Sequence, residues 1–157
     1  MENILTALED LGGILAVIFT NRIFYITFLT WLIAQTIKVL IHLAKKRRFD
    51  FRLFVGTGGM PSAHTAAVTA ATVSVGMEAG FGAPVFMVCL LYCIVVITDA
   101  VGVRQAAGKQ AEILNRMMDE AEHNKFSSER LKELLGHTPK EAFAGMLLGL
   151  ITPIFIF

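Results

Sequence analysis

Two histidines stand where the neighbouring residues give them chemistry to do. His64 follows the run Gly56-Thr57-Gly58-Gly59-Met60-Pro61-Ser62-Ala63 and opens a helix rich in Ala, Thr, Ser and Val. Glycines let a backbone approach an anion closely. A helix N-terminus adds unpaired N–H groups and the positive end of a dipole, and together these make an anion site. Ser62 suits either an N-cap or a hydroxyl donor to phosphate, and Gly59 lies in the loop that would approach the anion. A capped helix start explains Ser62 and the glycines, but it leaves a histidine at the membrane-helix entrance unexplained. His137 lies in Leu135-Gly136-His137-Thr138-Pro139-Lys140-Glu141. Thr138 to Glu141 spells a capping box with Pro139 at the favoured first helical position. That accounts for three residues and not for His137. Glu141, four residues on, is near enough to orient its imidazole. A nucleophilic histidine needs such a carboxylate to set its tautomer and to stabilise positive charge.

Charged groups recur beside these two. Gln35, Lys38 and His42 fall three and four apart in a run of membrane length, a spacing that puts them on one helix face. Ionisable groups in a span are costly, face the protein interior and point to function; the plainer reading has Lys38 and His42 snorkelling to the headgroups. Asp99, Gly102 and Arg104 end another apolar run. Arg104 could clamp a phosphate with its planar fork. Asp99 could hold Arg104, orient a histidine or bind a divalent metal. The plainer reading is a snorkelling arginine beside an interfacial aspartate. Gln110 and Asn115 are weaker candidates.

The elements that must position these groups are membrane helices. The chain has 157 residues, 55% hydrophobic and 17% charged, with a mean hydropathy of +0.62, against about 25% charged in a soluble domain. Apolar segments run over 4–20, 23–44, 64–80, 84–103 and 141–157, and a spanning helix needs about 20 residues. The first is broken by Glu9, Asp10, Gly12 and Gly13 and reads equally as an interfacial helix. Thr65, Thr69, Thr72 and Gly76 recur at helical spacing, and Gly145 with Gly149 forms a GxxxG; both are faces for close packing in lipid. The fold class expected is all-α: a polytopic bundle of about four to five membrane helices, one domain over 1–157, with a cytoplasmic helical insertion at 104–140. Within that insertion Ala107, Ala111, Leu114, Met118 and Ala121 form an apolar stripe, and Lys109, Glu112, Arg116 and Asp119 face away. A loop is expected at 124–128 and a short helix at 128–135.

Orientation follows from charge. Lys45, Lys46, Arg47, Arg48 and Arg52 close the second segment, and the positive-inside rule puts that end in the cytoplasm. Following the chain outward and back then brings the loop before His64, the stretch after Asp99 and the segment ending at His137 to one face. Other classes recede. A net charge of +1 gives no basic surface for nucleic acid. Cys89 and Cys93 share an apolar helix face and read as small core residues. The start Met1-Glu2-Asn3 has no basic n-region, so no cleaved secretory signal is expected.

Taken together, these motifs resemble the type 2 phosphatidic acid phosphatase superfamily, which includes bacterial acid phosphatases and vanadium haloperoxidases. Its pattern runs K-x6-R-P, P-S-G-H, then S-R-x5-H-x3-D. Gly58 to His64, Asp99 to Arg104 and Leu135 to Pro139 look like its divergent branch, and the likeness extends from about Gln35 to Gly149. It implies an integral membrane hydrolase acting on a lipid phosphate or pyrophosphate; with the orientation read from charge, its active site is expected at the cytoplasmic face of a bacterial cytoplasmic membrane. His137 would attack phosphorus to form a phosphohistidine, oriented by Glu141. His64 would protonate the leaving group, and Lys38, Ser62, Arg104 and Gly59 would hold phosphate oxygens. The departures are an Ala63 for the family glycine, Glu141 for its aspartate, and no Arg-Pro after Lys38, so that Arg48 and Arg52 are candidates for that ligand. Arg104 and His137 also flank a long insertion in place of a six-residue spacing. No cofactor is expected; Mg²⁺ held by Asp99, with Glu141, is the alternative mechanism, and binding of phospholipid without turnover is a third reading. The partners expected are the lipid substrate and membrane lipids. The GxxxG face serves a homodimer as readily as packing within one chain.

Overall fold

The computed structural model of the protein describes residues 12–13, 16–47, 59–121, 131 and 136–157. Among these every regular element is helical: α1 Arg22–Lys46, α2 Ala63–Ala79, α3 Pro84–Thr98, a π-helical turn Asp99–Val103, α4 Arg104–Ala121 and α5 Pro139–Ile156. Their ends follow local chemistry. Asn21 caps α1 by accepting from the Phe24 N–H, Ser62 caps α2 through Thr65 N–H, and Pro84 opens α3 at its first turn. The α1 helix ends at Arg47 in the left-handed conformation, its N–H returned to the Leu43 carbonyl. Most of the first expected segment, together with Arg48, Arg52, the loop at 124–128 and nearly all of 128–135, lies outside the described residues.

Among the described residues, three stretches are long and apolar enough to cross a bilayer: Arg22–Ala44, Pro84–Asp119 and Pro139–Ile156. The α2 helix is the inner element, packed against α1, α3 and α5, while α1 also meets α5. That placement explains its composition. Hydrocarbon offers no hydrophobic force to press helices together, so close approach of small residues does the work. Ala63, Thr65, Ala66, Thr69, Ala70, Thr72, Ser74 and Gly76 are all buried. A Cβ added to Gly145 would collide with the Ser62 carbonyl, and one added to Gly149 with the Ala66 carbonyl. The GxxxG of α5 is therefore spent inside the chain, on α2. Several hydroxyls on the spans return to their own helix: Thr30 donates to the Ile26 carbonyl and Thr152 to that of Leu148. Thr72 is shared between the carbonyls of Val68 and, across on α3, Cys89.

The outer surface is the apolar one. Cys93 is the single buried residue of α3, whereas Val88, Leu91, Tyr92 and Val95 on the same helix are more than 60% exposed. Such a surface would be an aggregation hazard in water and is ordinary against lipid tails. The stacking of the Arg22 guanidinium over the Phe157 ring, 4.0 Å from its centroid, ties the start of α1 to the end of α5. Both helices thus place their opposite ends, with Lys38 and Glu141, at the other end of the bundle.

The α4 helix differs from expectation. Lys109, Glu112, Arg116 and Asp119 are exposed as expected, but Leu114 is exposed too, and the buried line is Gly108, Ala111 and Asn115. Asn115 has replaced an apolar contact by a double hydrogen bond, its amide donating to the Leu131 carbonyl at 2.9 Å and accepting from the Leu131 N–H at 3.0 Å. An amide that satisfies both backbone groups of one residue can be buried without penalty, so it rotates the buried face toward itself.

Candidate active site

Three chain segments far apart in sequence are stitched at one end of the bundle by main-chain bonds. The Ser62 N–H donates to the Glu141 carbonyl at 3.0 Å, joining the entrance of α2 to that of α5. The His137 N–H donates to the Ala100 carbonyl at 2.9 Å, joining the α5 entrance to the π turn at the foot of α3. Gly136 makes the second junction feasible. Its φ is +81°, and a Cβ there would press on the Gln105 nitrogen and the Ala100 carbonyl. Only glycine tolerates both the left-handed backbone and that contact.

His64, Asp99, Arg104 and His137, with Val96, Ala100 and Gly136, line one cavity of about 110 Å³. The two imidazoles lie 6.5 Å apart between centroids, tilted by 46°. His137 is buried, and its Nδ1 is 3.3 Å from Oε2 of Glu141. The same Oε2 accepts the Thr138 N–H at 3.1 Å, while the Thr138 hydroxyl accepts the Glu141 N–H at 3.3 Å. The capping box and the histidine-orienting contact are one structure. Burial lowers the pKa of His137 from its ordinary value; the hydrogen bond and charge of Glu141 oppose this, and the nearby charges of Lys38 and Arg104 add to it. The result favours a neutral imidazole, a lone-pair donor, at neutral pH.

The remaining expected residues fall around this pair in different ways. Arg104 Nε donates to Asp99 Oδ2 at 2.6 Å, so Asp99 holds Arg104 at the rim. Lys38 does not snorkel. It is 4% exposed, and its aliphatic stem lies on Gly59, where a Cβ would be 3.2 Å from Cγ of the lysine. Gly59 has φ +90°, and its open face is what lets the lysine lie there. Ser62 is fully buried, and its oxygen accepts both the Thr65 N–H and the Thr65 hydroxyl. It is therefore bound as a helix cap and lies outside the cavity lining. Arg48 and Arg52 lie outside the described residues. No three His, Cys, Asp or Glu side chains gather as a metal-ligand set among the described residues. A Mg²⁺ ion at Asp99 would compete with Arg104 for the same carboxylate, so this donor set fits the ion poorly.

The π turn and the role of the Ala100 carbonyl are not legible in the sequence. Five residues wound as π, with the Arg104 N–H bonded to the Asp99 carbonyl, reorient the foot of α3 so that an intrahelical carbonyl turns out to His137. Single π turns are frequent at functional sites. The apolar periodicity of Val95 to Val103 carries no sign of it; Gly102 inside the turn is the one hint.

Fold and site together define a small α-helical membrane protein whose bundle encloses a histidine-bearing polar cavity at one end. The sequence places it more narrowly. The model of the Divergent PAP2 family matches residues 19–152, and the chain belongs to that family. A relative in Bacillus subtilis (strain 168), the uncharacterized membrane protein YuiD, is 38% identical, with 78% of this chain and 85% of the relative covered. No solved structure matches the chain.

Proposed function

We propose that the protein is a lipid phosphatase that works through a phosphohistidine on His137. The observation that carries this reading is the pairing of two imidazoles in one cavity, of which one, His137, is held on its Nδ1 side by a carboxylate. With Nδ1–H directed at Glu141, the lone pair of Nε2 is free to attack phosphorus. The P–N bond forms as the ester P–O bond breaks, and the departing oxygen takes its electron pair and a proton from His64. In the second step His64 takes a proton from water, the water oxygen attacks phosphorus, and the P–N bond breaks to release phosphate and neutral His137. Glu141 stabilises the positive charge that the ring carries between the two steps.

Negative charge on the transferred group needs preorganised cations and donors. Arg104 and Lys38 supply them: a guanidinium has five N–H donors, and the Asp99 bond engages Nε. Ser62 acts as the cap that sets the position of His64. The site faces the cytoplasm, at headgroup depth, where a lipid phosphate would present its ester.

Phosphate release from a panel of lipid phosphates by purified protein, in the presence of chelator, tests the reading. Activity in chelator that disappears in His137→Ala, together with an acid-labile, alkali-stable phosphoryl label on the wild type, is the expected result. Release abolished by chelator would point instead to a metal at Asp99. Saturable binding of lipid phosphate with no product over long incubation would mean a binding protein.

A further inference from the structure

The α3 helix, the π turn and α4 follow one another without a break, and Pro84–Asp119 counts 36 residues. A bilayer core takes about 20 of them. The 18 residues of α4 therefore continue for about 27 Å past it, at the helical rise. Along that length the side chains are sorted by face. Lys109, Glu112, Arg116 and Asp119 occupy a charged arc, and Gly108, Ala111 and Asn115 form the buried line. The third arc is uncharged and open. Val103, Gln110 and Met117 make its centre, seven residues apart, with Ala106 and Ile113 on one side and Leu114 on the other. Val103, Ile113, Leu114 and Met117 are 47–69% exposed. Such exposure is ordinary on α3, where lipid tails cover it; past the hydrocarbon an apolar stripe needs another cover and marks a contact surface.

We propose that this face of α4 pairs with the same face of a second copy of the chain, as a short parallel coiled coil in which Gln110 meets Gln110. A seven-residue recurrence along an apolar stripe is the spacing at which two helices supercoil and keep one seam in contact. The bilayer supplies the direction. Copies inserted under the same charge rule share one orientation, so their α4 helices run parallel and each residue stands at the height of its counterpart. Gln110, in the middle of the stripe, then faces itself. A carboxamide both donates and accepts, so it is its own complement, and a lone polar residue in an apolar seam fixes register and strand number. A membrane surface fits this helix less well. Helices that lie on headgroups carry Lys and Arg on the polar face and Trp, Phe or Leu on the other. The α4 helix has no aromatic residue, and its charged arc sets two cations against two anions, with Arg116 bonded to Glu112 at 2.6 Å. An unrelated protein would have to present an uncharged stripe with an amide at that same height; a second copy does so by construction. A coil of this length alone is marginal, and confinement in one membrane offsets this by raising the effective concentration of the pair. The GxxxG of α5 is used on α2 and plays no part. The pairing is independent of the chemistry in the polar cavity.

Single cysteines test the face position by position. In the full-length chain carrying Cys89→Ala and Cys93→Ala, a mild oxidant added to membranes before any detergent should link Val103→Cys, Gln110→Cys and Met117→Cys into disulfide dimers. Lys109→Cys, Glu112→Cys and Arg116→Cys should stay monomeric. Cross-linking without the seven-residue recurrence, or strongest on the charged arc, would overturn the pairing. So would a Gln110→Cys chain that does not cross-link, yet is shielded from a water-soluble maleimide in liposomes and open to it in detergent, since the bilayer would then be the cover. Light scattering of the purified protein in detergent gives an independent measurement. A dimer is expected, and Leu114→Glu should raise its dissociation constant about tenfold or more, because two carboxylates would enter an apolar seam. Leu114 is exposed within one copy, so the variant should keep the wild-type helicity by circular dichroism. A wild type that is monomeric at every concentration, or a Leu114→Glu chain that dimerises as tightly as the wild type, would refute the assignment.

Discussion

At the scale of single residues, the site turns on what one carboxylate oxygen can do at once. Oε2 of Glu141 closes the capping box and faces Nδ1 of His137. The helix cap and the orientation of the histidine therefore stand or fall together. Glu141→Gln keeps the size and a hydrogen-bonding group but removes the charge, and turnover is expected to fall by about 10²–10⁴-fold, in the range seen when a histidine loses its orienting carboxylate. The pH profile separates this from simple misfolding. Burial lowers the His137 pKa and Glu141 raises it. The acid limb of kcat/KM in the wild type is therefore expected below the ordinary histidine value of about 6.5, and in Glu141→Gln it should move to still lower pH. A limb that moved upward would contradict the assignment. Stability follows the same linkage. Below about 6.5 the unfolded chain binds a proton that the folded His137 resists, so stability contributed by the neutral ring is present above that pH and is lost as pH falls through the lower folded value. Melting in detergent followed from pH 7.5 downward should show that decline, and His137→Ala should flatten it.

At the scale of elements, glycine decides how closely backbones can meet. Gly145 and Gly149 bring α5 onto the carbonyls of α2, and that approach carries the Ser62–Glu141 bond between the two halves of the site. Gly149→Val should cost about 1–3 kcal/mol or more through overpacking, read as a lower unfolding midpoint in detergent. Because the interface lies within the chain, this loss should not depend on protein concentration; a concentration-dependent loss would show that the GxxxG is an intermolecular contact. Gly136→Ala is a narrower test. A left-handed backbone costs a non-glycine residue roughly 1–2 kcal/mol, and the contact with Ala100 and Gln105 adds to it. Activity should therefore fall more than stability, as the His137 N–H leaves the Ala100 carbonyl. Asn115→Ala should free the Leu131 backbone from α4 and raise amide exchange there without lowering activity on its own.

At the scale of the whole molecule, the bundle is built inside out relative to a soluble protein. Its interior is alanine, threonine, serine and glycine, and its exterior is phenylalanine, leucine, isoleucine and valine. Leu91→Arg, at an exposed point of α3, should cost about 2.5–3.5 kcal/mol on insertion-derived scales, visible as reduced membrane yield. The polar cavity lies at the end of the bundle that bears Lys38 and the α5 entrance. An impermeant maleimide should accordingly reach Lys140→Cys, at the exposed start of α5, only after the cytoplasmic side is opened. Labelling in intact cells would reverse the orientation inferred from the basic residues that follow Ala44.

Composition and spacing were enough to show an all-α membrane protein, the positions of its long helices and the two histidine motifs. These are local properties: hydropathy over about 20 residues, a cap signal over four, a glycine beside a proline and a serine. The boundaries found for α1, α2, α3 and α5 fall within a few residues of the segments expected for the same reason. Other features belong to contacts between segments distant in sequence, and no window of residues contains them. The Ala100 carbonyl that receives His137, the pairing of Asp99 with Arg104 rather than with a histidine, the engagement of Ser62 as a cap, and the use of the GxxxG within one chain are all of this kind. So is the buried line of α4. Its periodicity pointed to Leu114, yet Asn115 is the residue turned inward, because a hydrogen-bonded partner 16 residues away outweighs the preference of an isolated helix. Helices are set by their own residues; which of their faces meet, and which backbone groups are left to hold His137, is decided only when they pack.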